Sequence, residues 1–136
     1  MFVTAWLGVL EFSTNTLTYV NAGHTSPLLQ RAGGDYEYLV CNPCFVLAGL
    51  EGIPYKQETI QLEKGDSIYL YTDGVTEAIN IKEELFEEER LKESINIHKD
   101  KSPEEILKSI KNDHDRFVGE ADQFDDITML CLHYKG

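Results

Sequence analysis

No stretch of this chain stays apolar for the roughly 20 residues needed to cross a bilayer. The opening Met1-Phe2-Val3-Thr4-Ala5-Trp6 lacks the basic region that begins a signal peptide and reads as strand. Neither a membrane-embedded segment nor a secretory leader is therefore expected. Cations are scarce: 12 Lys and Arg stand against 24 Asp and Glu, a formal charge of −12. A surface of that sign repels phosphate backbones, which argues against nucleic acid as a partner. Cysteine is scarce as well. Cys41 and Cys44 form a C-x-x-C pair with a proline inside it, no second pair follows, and Cys131 is left over. A structural zinc site needs four ligands. The three cysteines are accordingly expected to be reduced thiols, as in a cytoplasmic protein. Internal repeats, low-complexity tracts and interdomain linkers are missing too.

What is present is an ordinary globular mixture, 42% hydrophobic and 26% charged over 136 residues, enough for one domain or a large piece of one. The first half reads as strands. Residues 2–12 are rich in aromatic and β-branched side chains, Ser13-Thr14-Asn15 supplies a turn, and residues 17–21 return as a second strand. Residues 27–31 and 36–40 flank Gly33-Gly34-Asp35 as a second hairpin. A third is expected from residues 59–62 and 67–71 across Glu63-Lys64-Gly65-Asp66. The second half turns helical. Residues 84–95 place Phe86, Leu91 and Ile95 near one face, below a run of acidic side chains that reads as a solvated surface. Ser102-Pro103-Glu104-Glu105 is a capping box with proline at the first helical position, followed by a stripe of Ile106, Leu107, Ile110 and Phe117. Residues 127–134 close the chain as a strand. The order predicts an α+β fold, antiparallel strands covered by two helices. Residues 36–58 carry the least pattern and are left open as a candidate substrate-docking flap.

Two carboxylate positions stand out by location. Asp73 ends a predicted strand and is followed by Gly74, which lets the backbone turn sharply; Asp125-Asp126 precedes the last strand. Were those strands neighbours, Asp73 and Asp125 would converge, and converging carboxylates repel unless a cation or proton joins them. Oxygen ligands without a His/Cys cluster suit Mg²⁺ or Mn²⁺ better than zinc. Acidic residues at strand ends are also common turn formers, and Asp73 could simply cap the turn through Val75-Thr76-Glu77-Ala78.

Three segments in order resemble the PPM-type serine/threonine phosphatases of the SpoIIE/RsbU branch. They are Tyr19-Val20-Asn21-Ala22-Gly23-His24-Thr25-Ser26-Pro27, then Gly65-Asp66-Ser67-Ile68-Tyr69-Leu70-Tyr71-Thr72-Asp73-Gly74-Val75-Thr76-Glu77-Ala78, and Asp125-Asp126-Ile127-Thr128-Met129-Leu130. The resemblance spans nearly the whole chain and implies part of an α-β-β-α sandwich. It also implies a phosphomonoesterase using two Mn²⁺ or Mg²⁺ ions and water. By it, Asp73 and Asp125 match metal-ligand aspartates, Asp126 stands behind the metal, and Gly74 lets the backbone pass close. Glu77 supports the turn after Asp73. Asn21 and His24 shape a turn between strands, in preference to His24 acting as a general acid. The implied partner is a phosphorylated protein, by analogy a small anti-anti-sigma-type regulator.

The family's first metal motif, an Asp followed by Gly-His-Gly, is absent from this sequence. The chain is thus expected to be the C-terminal portion of such a domain, holding at most one ion weakly and inactive alone. Its uncovered sheet surface is expected to drive homo-oligomer formation. Glu87 stands where the family usually has glycine. The rival readings are a non-catalytic binding module, a receiver-type phosphoacceptor at Asp73, disfavoured by the hairpins, and a zinc site at the two cysteines.

Overall fold

The computed structural model describes residues 1–42 and 44–136; the proline between Cys41 and Cys44 lies outside them. The elements are β1 (Ala5–Glu11), β2 (Thr16–Ala22), β3 (Leu28–Gln30), β4 (Tyr36–Tyr38), β5 (Glu58–Gln61) and β6 (Ser67–Tyr71), then α1 (Asp73–Thr76), α2 (Glu87–Ile97), α3 (Pro103–Val118) and β7 (Met129–His133). They form two antiparallel sheets, ordered β1-β2-β5 and β4-β3-β6-β7. No helix among the described residues is long and apolar enough to cross a membrane.

Alternation along the strands sets the layers. Leu17 and Tyr19 on β2 point inward, with Trp6 and Leu10 of β1 beside them, and meet Ile68 of β6 and Tyr134 between the sheets. Leu28, Tyr69 and Tyr71 point to the other face of the second sheet, where Phe86, Leu91 and Ile95 of α2 and Ile106 and Ile110 of α3 cover them. The chain thus builds a sheet–sheet–helix arrangement, an α+β fold of the expected kind. On the outer face of the first sheet Leu7 and Val9 are 66% and 62% exposed.

The first two hairpins form with their expected partners. The third does not. β5 pairs with β2, Leu17 opposite Ile60, while β6 pairs with β3 and β7. Residues 62–66 carry the chain from one sheet to the other, so that Ile60 and Ile68 belong to one core from opposite sheets. Alternation reveals which face of a strand is buried and says nothing of which strand lies beside it. The crossing is held by Asp66, 1% exposed, whose carboxylate accepts from the backbone N–H of Glu63 (2.9 Å) and Ala32 (3.0 Å) and from Arg31 (2.6 Å).

Both helices follow their signals. The Ser102 hydroxyl accepts from the Glu105 N–H, and the Glu105 carboxylate accepts from the Ser102 N–H, completing the capping box. α2 begins at Glu87, later than residue 84, because residues 79 and 85 bridge first. The chain then turns into the helix at Glu87, whose φ of 66° lies in the left-handed region. That region is costly for any residue with a Cβ and open to glycine. Glu87→Gly is therefore expected to raise stability by about 0.5–1 kcal/mol, the relieved strain less the extra freedom of glycine in the unfolded chain. A denaturant titration reads this directly, and a lower midpoint for the variant would refute it.

Candidate functional site

β6 and β7 are neighbours, with Tyr71 opposite Met129. Thr72 extends their ladder one step beyond the sheet. Its N–H donates to the Thr128 carbonyl (3.0 Å), and its hydroxyl donates to the Asp126 carbonyl (3.1 Å) while accepting from the Thr128 N–H (3.0 Å). The two acidic segments therefore leave adjoining strands at one end of the sheet. Asp73 opens α1, a single turn whose N-cap is Thr72, so Asp73 does not cap it.

Gly74 fixes how close the segments come. It is buried, and a Cβ built on it would overlap the carbonyl oxygen of Asp126 and stand 3.0 Å from its carbonyl carbon. Only a residue without a side chain lets α1 rest against the Asp125–Asp126 backbone this way. Gly74 is absent from the residues with positive φ, so close approach is the constraint, in place of the sharp turn read from sequence.

The carboxylates of Asp73, Asp125 and Asp126 are exposed. The Asp125 side chain accepts from the Asp126 N–H (2.7 Å), which sets its orientation. Neither Asp73 nor Asp125 enters an ion pair among the described residues. Exposed carboxylate oxygens at a strand edge are the hard donors that Mg²⁺ or Mn²⁺ takes, with water filling the rest of an octahedron. They fit such an ion as a partial donor set. Among the described residues, no group of three or more His, Cys, Asp and Glu is gathered closely enough to hold one.

The Asn-Ala-Gly-His segment reaches the same edge, because the Thr25 hydroxyl donates to the Tyr71 carbonyl. Asn21 is buried and clamps the loop. Its side chain accepts from the His24 N–H (2.8 Å) and donates to the His24 carbonyl (3.0 Å). The His24 ring lies 3.1 Å from the Thr4 hydroxyl. Glu77 closes α1 through its backbone N–H on the Asp73 carbonyl (2.8 Å), with its side chain exposed. The cysteines stand apart. All three are free thiols, and burial pushes those of Cys41 and Cys131 up, away from the reactive thiolate.

Sequence reasoning missed His114. It sits on α3 four residues after Ile110, on the apolar stripe, and is 3% exposed. Neither ring nitrogen has a hydrogen-bond partner. Nδ1 stands 3.6 Å from the Asp115 carboxylate, too far for a hydrogen bond. Burial holds this imidazole below its usual range, so it is neutral at neutral pH. A polar residue inside an otherwise apolar stripe was the available signal.

The family model described as stage II sporulation protein E (SpoIIE) matches residues 1–135. Phosphoserine phosphatase RsbU of Bacillus subtilis is 30% identical over 137 residues, 99% of this chain and 40% of RsbU. Among solved structures, the SiaA-PP2C domain of Pseudomonas aeruginosa matches with a TM-score of 0.82 at 21% identity, over 96% of this chain and 51% of that one. The manganese-presoaked phosphatase domain of SpoIIE from Bacillus subtilis matches at 0.74 and 17%, over 97% of this chain and 56% of that one. The chain spans less than half of RsbU and about half of each solved domain. At such identities the solved structures speak for the fold, and the family model speaks for descent. The three quoted motifs, the paired strand ends and the match over almost every residue place this chain in the SpoIIE family, among the PPM-type phosphatase domains of the SpoIIE/RsbU kind.

Proposed function

We propose that this chain is the C-terminal portion of a Mg²⁺- or Mn²⁺-dependent protein serine/threonine phosphatase domain. The observation that carries the reading is the common edge of β6 and β7, where Asp73 and Asp125 end up with no cationic partner among the described residues. Asp73 and Asp125 would hold the ion, Asp126 would orient Asp125 through its N–H, and Gly74 would keep the two segments together. Bound there, the ion supplies Lewis-acid stabilisation of a phosphoryl group and activates water. Asn21 keeps the His24 loop at the same edge, as a wall of the site and not as its acid.

The relatives support the substrate class. RsbU is by name a phosphoserine phosphatase, and the reading here is a phosphorylated serine or threonine on a small anti-anti-sigma-type regulator in the cytoplasm. Two aspartates are too few for the two-ion chemistry of the family. The chain alone would bind at most one ion weakly, and turnover would belong to the longer protein. The exposed Leu7 and Val9 support self-association of the 136-residue chain, which sedimentation at high concentration tests; a monodisperse monomer would count against it.

Calorimetric Mn²⁺ titration of the chain, Asp73→Asn and Asp125→Asn tests the metal reading. The expected result is weak binding by the parent chain, lost in both variants. Binding that survives both substitutions would move the ion elsewhere. One observation favours a second reading, a binding module without turnover: no ligand group of three or more exists among the described residues. It predicts no manganese binding by the chain and no phosphatase activity in the longer protein.

A further inference from the structure

Beside the metal edge lies a cavity of about 460 Å³, bounded by α1, the last turn of α3 and residues 119–125. Its carboxylates are those of Glu77, Asp122 and Asp125, all exposed and none in an ion pair among the described residues. Asp115 also reaches it but is taken by Lys111 on the same helix. Apolar surface comes from Ile79 and Val118. His114 faces the cavity, buried, with both ring nitrogens unpartnered. A buried polar group without a partner is costly, and the ring of His114 forms part of the cavity wall.

We infer that this cavity receives a basic side chain, arginine first, carried by the phosphoprotein near its phosphorylated residue; this rests on the phosphatase reading above. An anion is repelled by the rim and by a chain of net charge −12. The metal ion is already assigned to Asp73 and Asp125 at the adjoining edge, which leaves Glu77 and Asp122 as the cavity's own carboxylates. A long basic side chain matches every part. Its methylenes lie along Ile79 and Val118, and its charge meets the carboxylates. A guanidinium carries five donors in a fixed fork, so one N–H can serve the His114 ring while others serve a carboxylate; an ammonium is a single point charge. Gly74 and Asp125 border both the cavity and the metal edge, so one peptide can occupy the two together.

The test uses the protein in its full native length and two phosphoserine peptides differing only in arginine or its neutral isostere citrulline near the phosphoserine. With manganese present, kcat/KM is expected to favour the arginine peptide by about tenfold. In Asp122→Asn and His114→Phe the preference is expected to fall below about threefold. Each variant is compared with itself on the two peptides, so a general loss of activity cancels. Saturation-transfer NMR with N-acetyl-arginine amide and N-acetyl-citrulline amide reads the cavity without turnover. Contact by the arginine compound alone, lost in both variants, is the expected result. Equal turnover of both peptides, or equal contact by both amides, overturns the inference and leaves the phosphatase reading standing. Arginine-specific contact with no turnover of either peptide supports the cavity's ligand class and sinks the phosphatase reading instead.

Discussion

Gly74→Ala is expected to cost about 2–3 kcal/mol of stability and, on the proposed metal reading, to lower manganese affinity by about 10- to 100-fold. Both effects come from one atom. The added Cβ overlaps the carbonyl oxygen of Asp126, which belongs to backbone and cannot swing aside as a side-chain tip would. Either α1 lifts away or the Asp125–Asp126 segment moves out, and the Thr72 bond to the Asp126 carbonyl lengthens in both cases. Asp73 and Asp125 are then held apart although neither has been changed. Thermal or denaturant melts read the first effect and calorimetry the second. An unchanged melting midpoint would show that the two segments are not in contact as described.

Asp66→Ala is expected to cost more, about 3–5 kcal/mol, a large share of the stability of an ordinary domain. The carboxylate is buried and takes three donors, two from backbone that has no other acceptor on offer. Removing it strands the Ala32 and Glu63 N–H groups and leaves Arg31 with the Gln61 carbonyl but no carboxylate. The damage is not confined to the turn, because residues 62–66 tie the two sheets and the Asp66 carbonyl accepts from the Tyr134 N–H (2.8 Å). Asp66→Asn, which keeps one acceptor oxygen, is expected to fall between the two. A denaturant midpoint for Asp66→Ala within about 1 kcal/mol of the parent would mean that the core alone holds the crossing.

The same residue marks where sequence reading reached its limit. The β1–β2 and β3–β4 hairpins were legible because turn residues sit between strands that pair locally. The α3 start was legible because Ser102 and Glu105 act within one turn. The β5–β6 segment has the same local look, yet its strands belong to different sheets, and that choice depends on β2 and β3 far away in sequence. At the site, the motif resemblance marked Asp73, Gly74 and Asp125, and the pairing of β6 with β7 supplies their common edge. The resemblance also marked residue 87 as a glycine position, where the chain turns at φ 66° with glutamate. His114 escaped notice because a histidine on an apolar stripe looks like core; its unpartnered ring becomes visible only once packing is known.

The pairing of β7 with β6 also sets a timetable. Asp73 leaves the ribosome about fifty residues before Asp125, an interval of several seconds at roughly 5–20 residues per second. Until β7 arrives, the β6 edge that it will cover has no neighbour, and the acidic pair does not exist. A nascent chain halted after α3 would have most of its core and an open strand, an invitation to pair with another chain. Completion of the acidic edge thus waits for β7 and coincides with the closing of the sheet.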